Sequence, residues 1–317
     1  MNEIKMGVIG AGVLGSFHID KCLQNPEVKL CGFYDADPAR RREIMEKFKI
    51  PGYDDIIALL NEVQAVIIAT PCSTHHVIAR QCLDSGKHVF VEKPLASSYS
   101  QGEELVYMAD KRGLILNVGH SEAFNAAFTR LCSFKPAPRF IEAHRLAYYS
   151  PRGTDVSVIL DLMVHDLQLV LRLCKEEPVY GRIAATGVPV ISKDIDIANV
   201  RLLFPSGCVA NLTASRISAK RMRKIRIFST GGYFSVDLDK GEIERYSLKQ
   251  LPISPGAIPV ESLKEKVEAN DALENELQSF VKTIKGEKDC LGVDGKEALI
   301  VLKVTDVILE LLSSGSV

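Results

Sequence analysis

Two hydrophobic rhythms divide the chain. From the N terminus to about residue 120, short β-rich runs alternate with stretches whose apolar residues recur every three or four positions. Strands are predicted over Ile4–Ile9, Val28–Tyr34, Ala65–Ala69, His88–Glu92 and Ile115–Val118. Helices are predicted between them over Leu14–Gln24, Pro38–Phe48, Ile56–Leu60, His75–Ser85 and Ser100–Arg112, with Gly86 placed to end the fourth. Strand and helix in strict alternation with short connections predict a parallel sheet covered on both faces.

Beyond residue 120 the rhythm changes. A strand over Phe140–Tyr149 and a helix over Val158–Cys174 lead into strand-like runs at Gly181–Val188, Ala198–Phe204, Cys208–Arg216, Lys224–Ser229 and Gly232–Leu238. Tight turn sequences separate them, among them Pro205-Ser206-Gly207 and Asp239-Lys240-Gly241. Such strands form a mainly antiparallel sheet. Helices over Asp271–Lys285 and Gly295–Ser313 close the chain. The expected fold is therefore α/β followed by α+β: a Rossmann parallel-sheet domain over residues 1–120 and a mainly antiparallel open-sheet domain over 121–317. The last helix is a candidate to pack back on the first domain. Val200, Leu202, Val209 and Leu212 are expected on an open sheet face, where they would bury against a second copy in a homodimer or homotetramer.

Composition narrows the function. The chain has 317 residues, 46% hydrophobic and 25% charged, with a formal net charge of −1. That balance is globular and offers no general attraction to nucleic acid or acidic membranes. No apolar run reaches the ~18–20 residues needed to span a bilayer. No signal-peptide pattern opens the chain, and eight scattered cysteines lack metal or redox spacing. The expectation is a cytoplasmic protein with no metal and a locally built site.

Gly10-Ala11-Gly12-Val13-Leu14-Gly15 is G-x-G-x-x-G between a strand and a helix. Gly10 makes the turn, Gly12 admits a pyrophosphate, and Gly15 allows close packing. The N–H groups around Val13 and Leu14 would face the phosphates. Asp35 ends the second strand, where a carboxylate accepts from ribose hydroxyls and favours NAD. Arg40 and Arg41 would favour NADP instead, but read as solvent-facing helix residues they leave NAD preferred. Thr70, Pro71 and His75 stand where the third strand meets the next helix and are candidate cofactor neighbours.

Glu92-Lys93-Pro94 follows the fourth strand and puts an ammonium near the expected nicotinamide. In the second half, Asp161 and His165 lie four apart on an apolar helix, on one face and in reach of one ligand. Asp166 points elsewhere. A charged face on a buried helix needs a partner or a function.

The glycine loop, Glu92-Lys93-Pro94 and Asp161-x-x-x-His165, in that order, resemble the Gfo/Idh/MocA family, with Thr70–His75 and Val118-Gly119-His120 extending the likeness. The resemblance implies NAD(P)-dependent oxidation of a secondary alcohol on a sugar or cyclitol. It implies Lys93 as the group stabilising the reacting oxygen, His165 as general base, Asp161 on a neighbouring hydroxyl, a cis bond before Pro94, and Asn125 near the cofactor. Many relatives carry arginine where this chain has Ala123. The stretch from Arg145 through Arg152 to Asp166 is most similar to the sugar-nucleotide branch, which implies oxidation at carbon 3 of a UDP-N-acetylhexosamine. Arg145, Arg152 and Arg216 would then meet the diphosphate. A dehydrogenase of inositol or a free sugar, and a cofactor-binding regulator without chemistry, are the rival readings.

Overall fold

The computed structural model describes residues 3–150, 157–248, 260–287 and 291–314. The chain divides into two compact units, Met1–Phe124 with Asp271–Leu302 and Asn125–Asn270 with Lys303–Val317. Its elements begin with β1 (Ile4–Ile9), α1 (Val13–Gln24), β2 (Val28–Tyr34), α2 (Pro38–Phe48), β3 (Gly52–Tyr53), α3 (Ile56–Glu62), β4 (Ala65–Ile68), α4 (Cys72–Asp84), β5 (His88–Glu92), α5 (Tyr99–Arg112), β6 (Leu116–Gly119) and a 3-10 turn at Ser121–Phe124. Then follow α6 (Ala126–Ser133), β7 (Phe140–Leu146), a π turn at Ile159–Met163 and α7 (Val164–Cys174). The sheet strands β8 (Ala184–Val188), β9 (Ile197–Leu203), β10 (Val209–Ser215), β11 (Met222–Ser229), β12 (Gly232–Asp237), β13 (Glu242–Leu248) and β14 (Val260–Lys266) come next. The chain closes with α8 (Ala272–Ile284), β15 (Val293–Asp294) and α9 (Gly295–Ser313).

The first unit is a sheet of order β15-β6-β5-β4-β1-β2-β3, parallel except where β15 pairs antiparallel with β6. All four residues of β4 are buried, as expected of a strand covered on both faces. One face packs around Leu59, Val66, Val91 and Leu105, the other around Ile19, Phe33, Phe90 and Phe280. Helix starts follow local chemistry: Asp37 accepts from Ala39 N–H and precedes Pro38, and Asp55 accepts from two N–H groups of α3.

The second unit is a sheet of order β14-β13-β12-β11-β7-β10-β9-β8. Its one parallel pair, β7 with β10, lies in the middle; the other pairs are antiparallel. One face is apolar and covered by α7, with Ile141, Ala143, Ala210, Ile225 and Ile227 fully buried. Val200, Leu202 and Leu212 belong to this covered face, each at 0% exposure. The expectation that they wait for a second copy is therefore corrected: they are core of their own chain, and of the four only Val209 alternates to the other face. That other face carries a ladder of stacked rings, Phe140 on Phe228, Phe228 on Tyr233 and Tyr233 on Tyr246.

Candidate active site

In the first unit the glycine turn has the geometry its motif requires. Gly10 has φ of +88° and donates to Tyr34 C=O at 2.8 Å, a conformation that favours glycine. A Cβ on Gly15 would come within 1.9 Å of Gly10 C=O, so no side chain fits between turn and helix. Gly12 differs: a Cβ there would meet nothing of this chain within 4 Å. The first N–H groups of α1 have no intrahelical partner, and Val13 and Leu14 beside them are exposed. This cradle fits a dinucleotide pyrophosphate.

Asp35 braces the turn. Its carboxylate accepts from Ala11 N–H at 2.7 Å and from Asp37 N–H at 2.9 Å, and each oxygen keeps a lone pair for a ribose hydroxyl. Arg40 is not the solvent-facing residue expected: it donates to Ala11 C=O at 2.7 Å and to Ser16 Oγ at 3.0 Å. Arg41 donates to Asp35 C=O at 2.7 Å. Both arginines clasp the turn, which a helical wheel of α2 alone does not reveal.

The end of β4 is tied to the residues after β5. His75, 1% exposed, lies in α4, which starts earlier than expected, at Cys72. Its Nδ1 is 2.7 Å from Pro94 C=O and its Nε2 2.9 Å from Thr70 C=O. Thr74 donates to Thr70 Oγ1 and to Pro71 C=O. His75 thus joins Thr70 to the Lys93–Pro94 segment, whose peptide bond is cis. Lys93 is half-buried, and Glu92 just before it is buried and pairs with His18.

In the second unit, Asp161 lies within the π turn and His165 in the first turn of α7, which continues it. Ser157 starts the π turn, its hydroxyl accepting from Ile159 N–H and its carbonyl from Leu160 and Asp161 N–H. π turns recur at functional sites because the extra residue re-aims side chains. Both Asp161 and His165 are half-buried on the otherwise buried segment. Asp166, pointing elsewhere, forms a fork with Arg145: Nε and Nη2 donate to its two oxygens at 2.9 and 3.0 Å. Arg145 is 2% exposed and Asp166 3%. The diphosphate contact expected of Arg145 is thereby corrected; it fastens β7 to the helix bearing His165.

Arg216 is likewise buried, 3.8 Å from Asp196. Burial opposes ionisation of Asp196, but the N–H groups of Ile191, Ser192 and Val190 and the Ser192 hydroxyl outweigh it and hold the carboxyl well below the ordinary range. Asn125 caps α6 through Ala127 and Phe128 N–H and donates to Leu238 C=O. Arg152 lies outside the described residues.

The family model described as an oxidoreductase family with NAD-binding Rossmann fold matches residues 4–120, and the GFO/IDH/MocA C-terminal domain model matches residues 129–235. The chain belongs to the Gfo/Idh/MocA oxidoreductase family. It is 36% identical to the UDP-N-acetylglucosamine 3-dehydrogenase of Acidithiobacillus ferrooxidans over 94% of this chain and 95% of that one. A solved structure of that enzyme superposes with a TM-score of 0.91 and 33% identity over 99% of both chains. The myo-inositol 2-dehydrogenase of Thermotoga maritima is 26% identical over 94% of this chain and 93% of its own.

This Gfo/Idh/MocA chain is accordingly an oxidoreductase on a Rossmann fold. Sequence reading missed two contributors to its frame: Asp166 as the partner of Arg145, and His18 as the partner of Glu92. His18 falls one turn after the glycine loop on α1, a position that can return to the sheet edge. Nothing in the sequence pairs it with residue 92.

Proposed function

We propose that this oxidoreductase uses NAD to oxidise a secondary alcohol of a sugar nucleotide, at carbon 3 of a UDP-N-acetylhexosamine. One observation carries the substrate: likeness along 94% of the chain to the UDP-N-acetylglucosamine 3-dehydrogenase, at 36% identity. Likeness to the inositol dehydrogenase is lower, 26%.

In this reading the backbone around Gly10, Gly12, Val13, Leu14 and Gly15 holds the pyrophosphate. Asp35 takes the adenosine ribose hydroxyls; a 2′-phosphate would meet its carboxylate, which favours NAD over NADP. Thr70, Pro71 and His75 support the cofactor cleft, and Glu92 holds the base of Lys93. A bound nicotinamide supplies the hydride acceptor. Lys93 donates to the substrate oxygen and stabilises it as negative charge develops. His165 takes the hydroxyl proton, for which an imidazole suits near-neutral pH. Asp161 accepts from a neighbouring hydroxyl. Arg152 remains the proposed diphosphate ligand, because an arginine fork matches phosphate oxygens.

A panel of UDP-sugars, free sugars and cyclitols with NAD and NADP, read by absorbance of the reduced nicotinamide, tests this. Turnover of UDP-N-acetylglucosamine with NAD is expected. Turnover of a cyclitol with no UDP-sugar reacting would overturn the substrate and keep the family.

We further propose a cytoplasmic homo-oligomer. Among the described residues, seven of the eight cysteines are free thiols, which suits a reducing compartment, and the ring ladder from Phe140 to Tyr246 suits a self-complementary sheet contact. Light scattering should give twice or four times the chain mass of 34.9 kDa; a monomer at micromolar concentration would refute it.

A further inference from the structure

Three ionisable side chains that the proposed reaction does not use, or uses only as support, are buried together beside Lys93. His18 on α1 is 1% exposed, Glu92 at the end of β5 is 9%, and Glu276 on α8 is 3%. His18 Nε2 lies 2.7 Å from Glu92 Oε1, a bond in which the imidazole donates, while Nδ1 has no hydrogen-bond partner. Neither carboxyl oxygen of Glu276 has a partner. Glu92 is wedged from its other side: it pairs with Gly119 across β5 and β6, and a Cβ there would meet Glu92 Oε2 at 2.8 Å. A carboxylate held this tightly cannot move without moving the next residue, Lys93.

Two carboxyls sharing one dry pocket do not both ionise cheaply. Burial, then the field of Glu92, push Glu276 well above the ordinary carboxylate range, so it keeps its proton where surface glutamates have lost theirs. The elements packed on α8 include α1, the 121–124 turn, β5 through Phe90, and the turn after α1, whose Glu27 pairs with Lys285. Their titratable groups include His18, Asp20 and Lys21 on α1 and Glu122 on the 121–124 turn, with Glu92 and Lys93 on the β5 side. Lys21 is tied to Asp271 at 2.6 Å, at the start of α8.

We propose that His18, Glu92 and Glu276 form a charge-coupled cluster that positions Lys93, Glu276 being the member whose proton keeps Glu92 in place. The inference rests on the reading of Lys93 as the residue that meets the reacting hydroxyl. When Glu276 gives up its proton, a second negative charge enters the pocket, Glu92 is displaced, and the Lys93 ammonium goes with it. Glu276 is thus a positioning residue that links turnover to pH.

Infrared spectroscopy of the full chain without substrate should show the C=O stretch of a buried, protonated carboxylic acid at neutral pH. The band should vanish on raising the pH, and in Glu276→Gln at every pH. With whichever alcohol the substrate panel identifies, Glu276→Gln should keep kcat within about three-fold at neutral pH. It should shift the alkaline limb of the kcat profile up by about one pH unit or more. KM for NAD should stay within about two-fold, since the glycine turn is untouched.

Stability follows the same sign. The folded state binds the Glu276 proton more tightly than the unfolded state, so the contribution of this group falls as pH rises above about 4.5 until the folded value is passed. The gain in melting temperature of Glu276→Gln over wild type should therefore grow with pH. A wild-type chain without the infrared band overturns the cluster whether or not the variant folds. So does a band that survives Glu276→Gln. A band that behaves as expected beside an unshifted alkaline limb overturns the positioning role. Failure of the substrate panel would remove the functional reading and leave the infrared result to judge the cluster.

Discussion

Replacing Lys93 by methionine is expected to lower kcat by about 10²–10³ while leaving reduced-cofactor binding intact. The stem of methionine fills the same half-buried space, so the loss isolates the ammonium from packing. The magnitude is that of removing one donor aimed at a developing oxyanion. His165→Ala should cost about 10²–10⁴ and also abolish the acid limb of the kcat profile in the oxidative direction, because the base that titrates is gone. Steady-state kinetics beside a fluorescence titration of NADH separates the two effects from loss of cofactor. A Lys93→Met enzyme with unchanged kcat would remove this residue from the chemistry.

The Arg145–Asp166 pair gives the second large effect. Both side chains are essentially closed to solvent and joined by two parallel hydrogen bonds. Truncating one partner leaves a buried charge uncompensated, which costs about 3–5 kcal/mol. Arg145→Met should accordingly melt the second unit at markedly lower temperature, and Asp166→Leu should do the same. The double variant should recover much of the loss, since two apolar groups of similar bulk strand no charge. Calorimetry on the three variants checks this; a loss in the double variant equal to the sum of the two single losses would mean that the pair is not coupled.

The strongly patterned elements were legible in the chain. β1, β2, β5 and α2 fall where the apolar rhythm places them, and the glycine turn and the cis Lys93–Pro94 bond match their motifs. β13 and β14 were not legible. Val260–Lys266 reads V-E-S-L-K-E-K and is exposed along nearly its whole length, so no alternation marks it; backbone pairing with β13 makes it a strand. Charged residues on such an edge also discourage further pairing.

At the site, residue types were easier to read than their partners. Arg145 looked like a phosphate ligand because arginine forks suit phosphate, yet an equally good fork partner, Asp166, lies 21 positions away on the next helix. Sequence spacing carries no information on that meeting. The same holds for Glu276, which comes to Glu92 only because α8 returns to the first unit. Arg40 and Arg41 were misplaced for a related reason: their long side chains reach back from α2 over the turn to Ala11 and Asp35.

The placing of strands has a consequence for biogenesis. β7 lies between β10 and β11, so its first backbone partner, Val209, is translated about 70 residues after Phe140. The first sheet is no better served: its edge strand β15 and the helix α8 that helps cover it are translated only after residue 270, about 150 residues after β6. The β6 edge of the first sheet therefore stays open until all strands of the second sheet have been made. A nascent chain thus holds open sheet edges while everything between these partners is made, and that is the interval in which chaperones have most to protect.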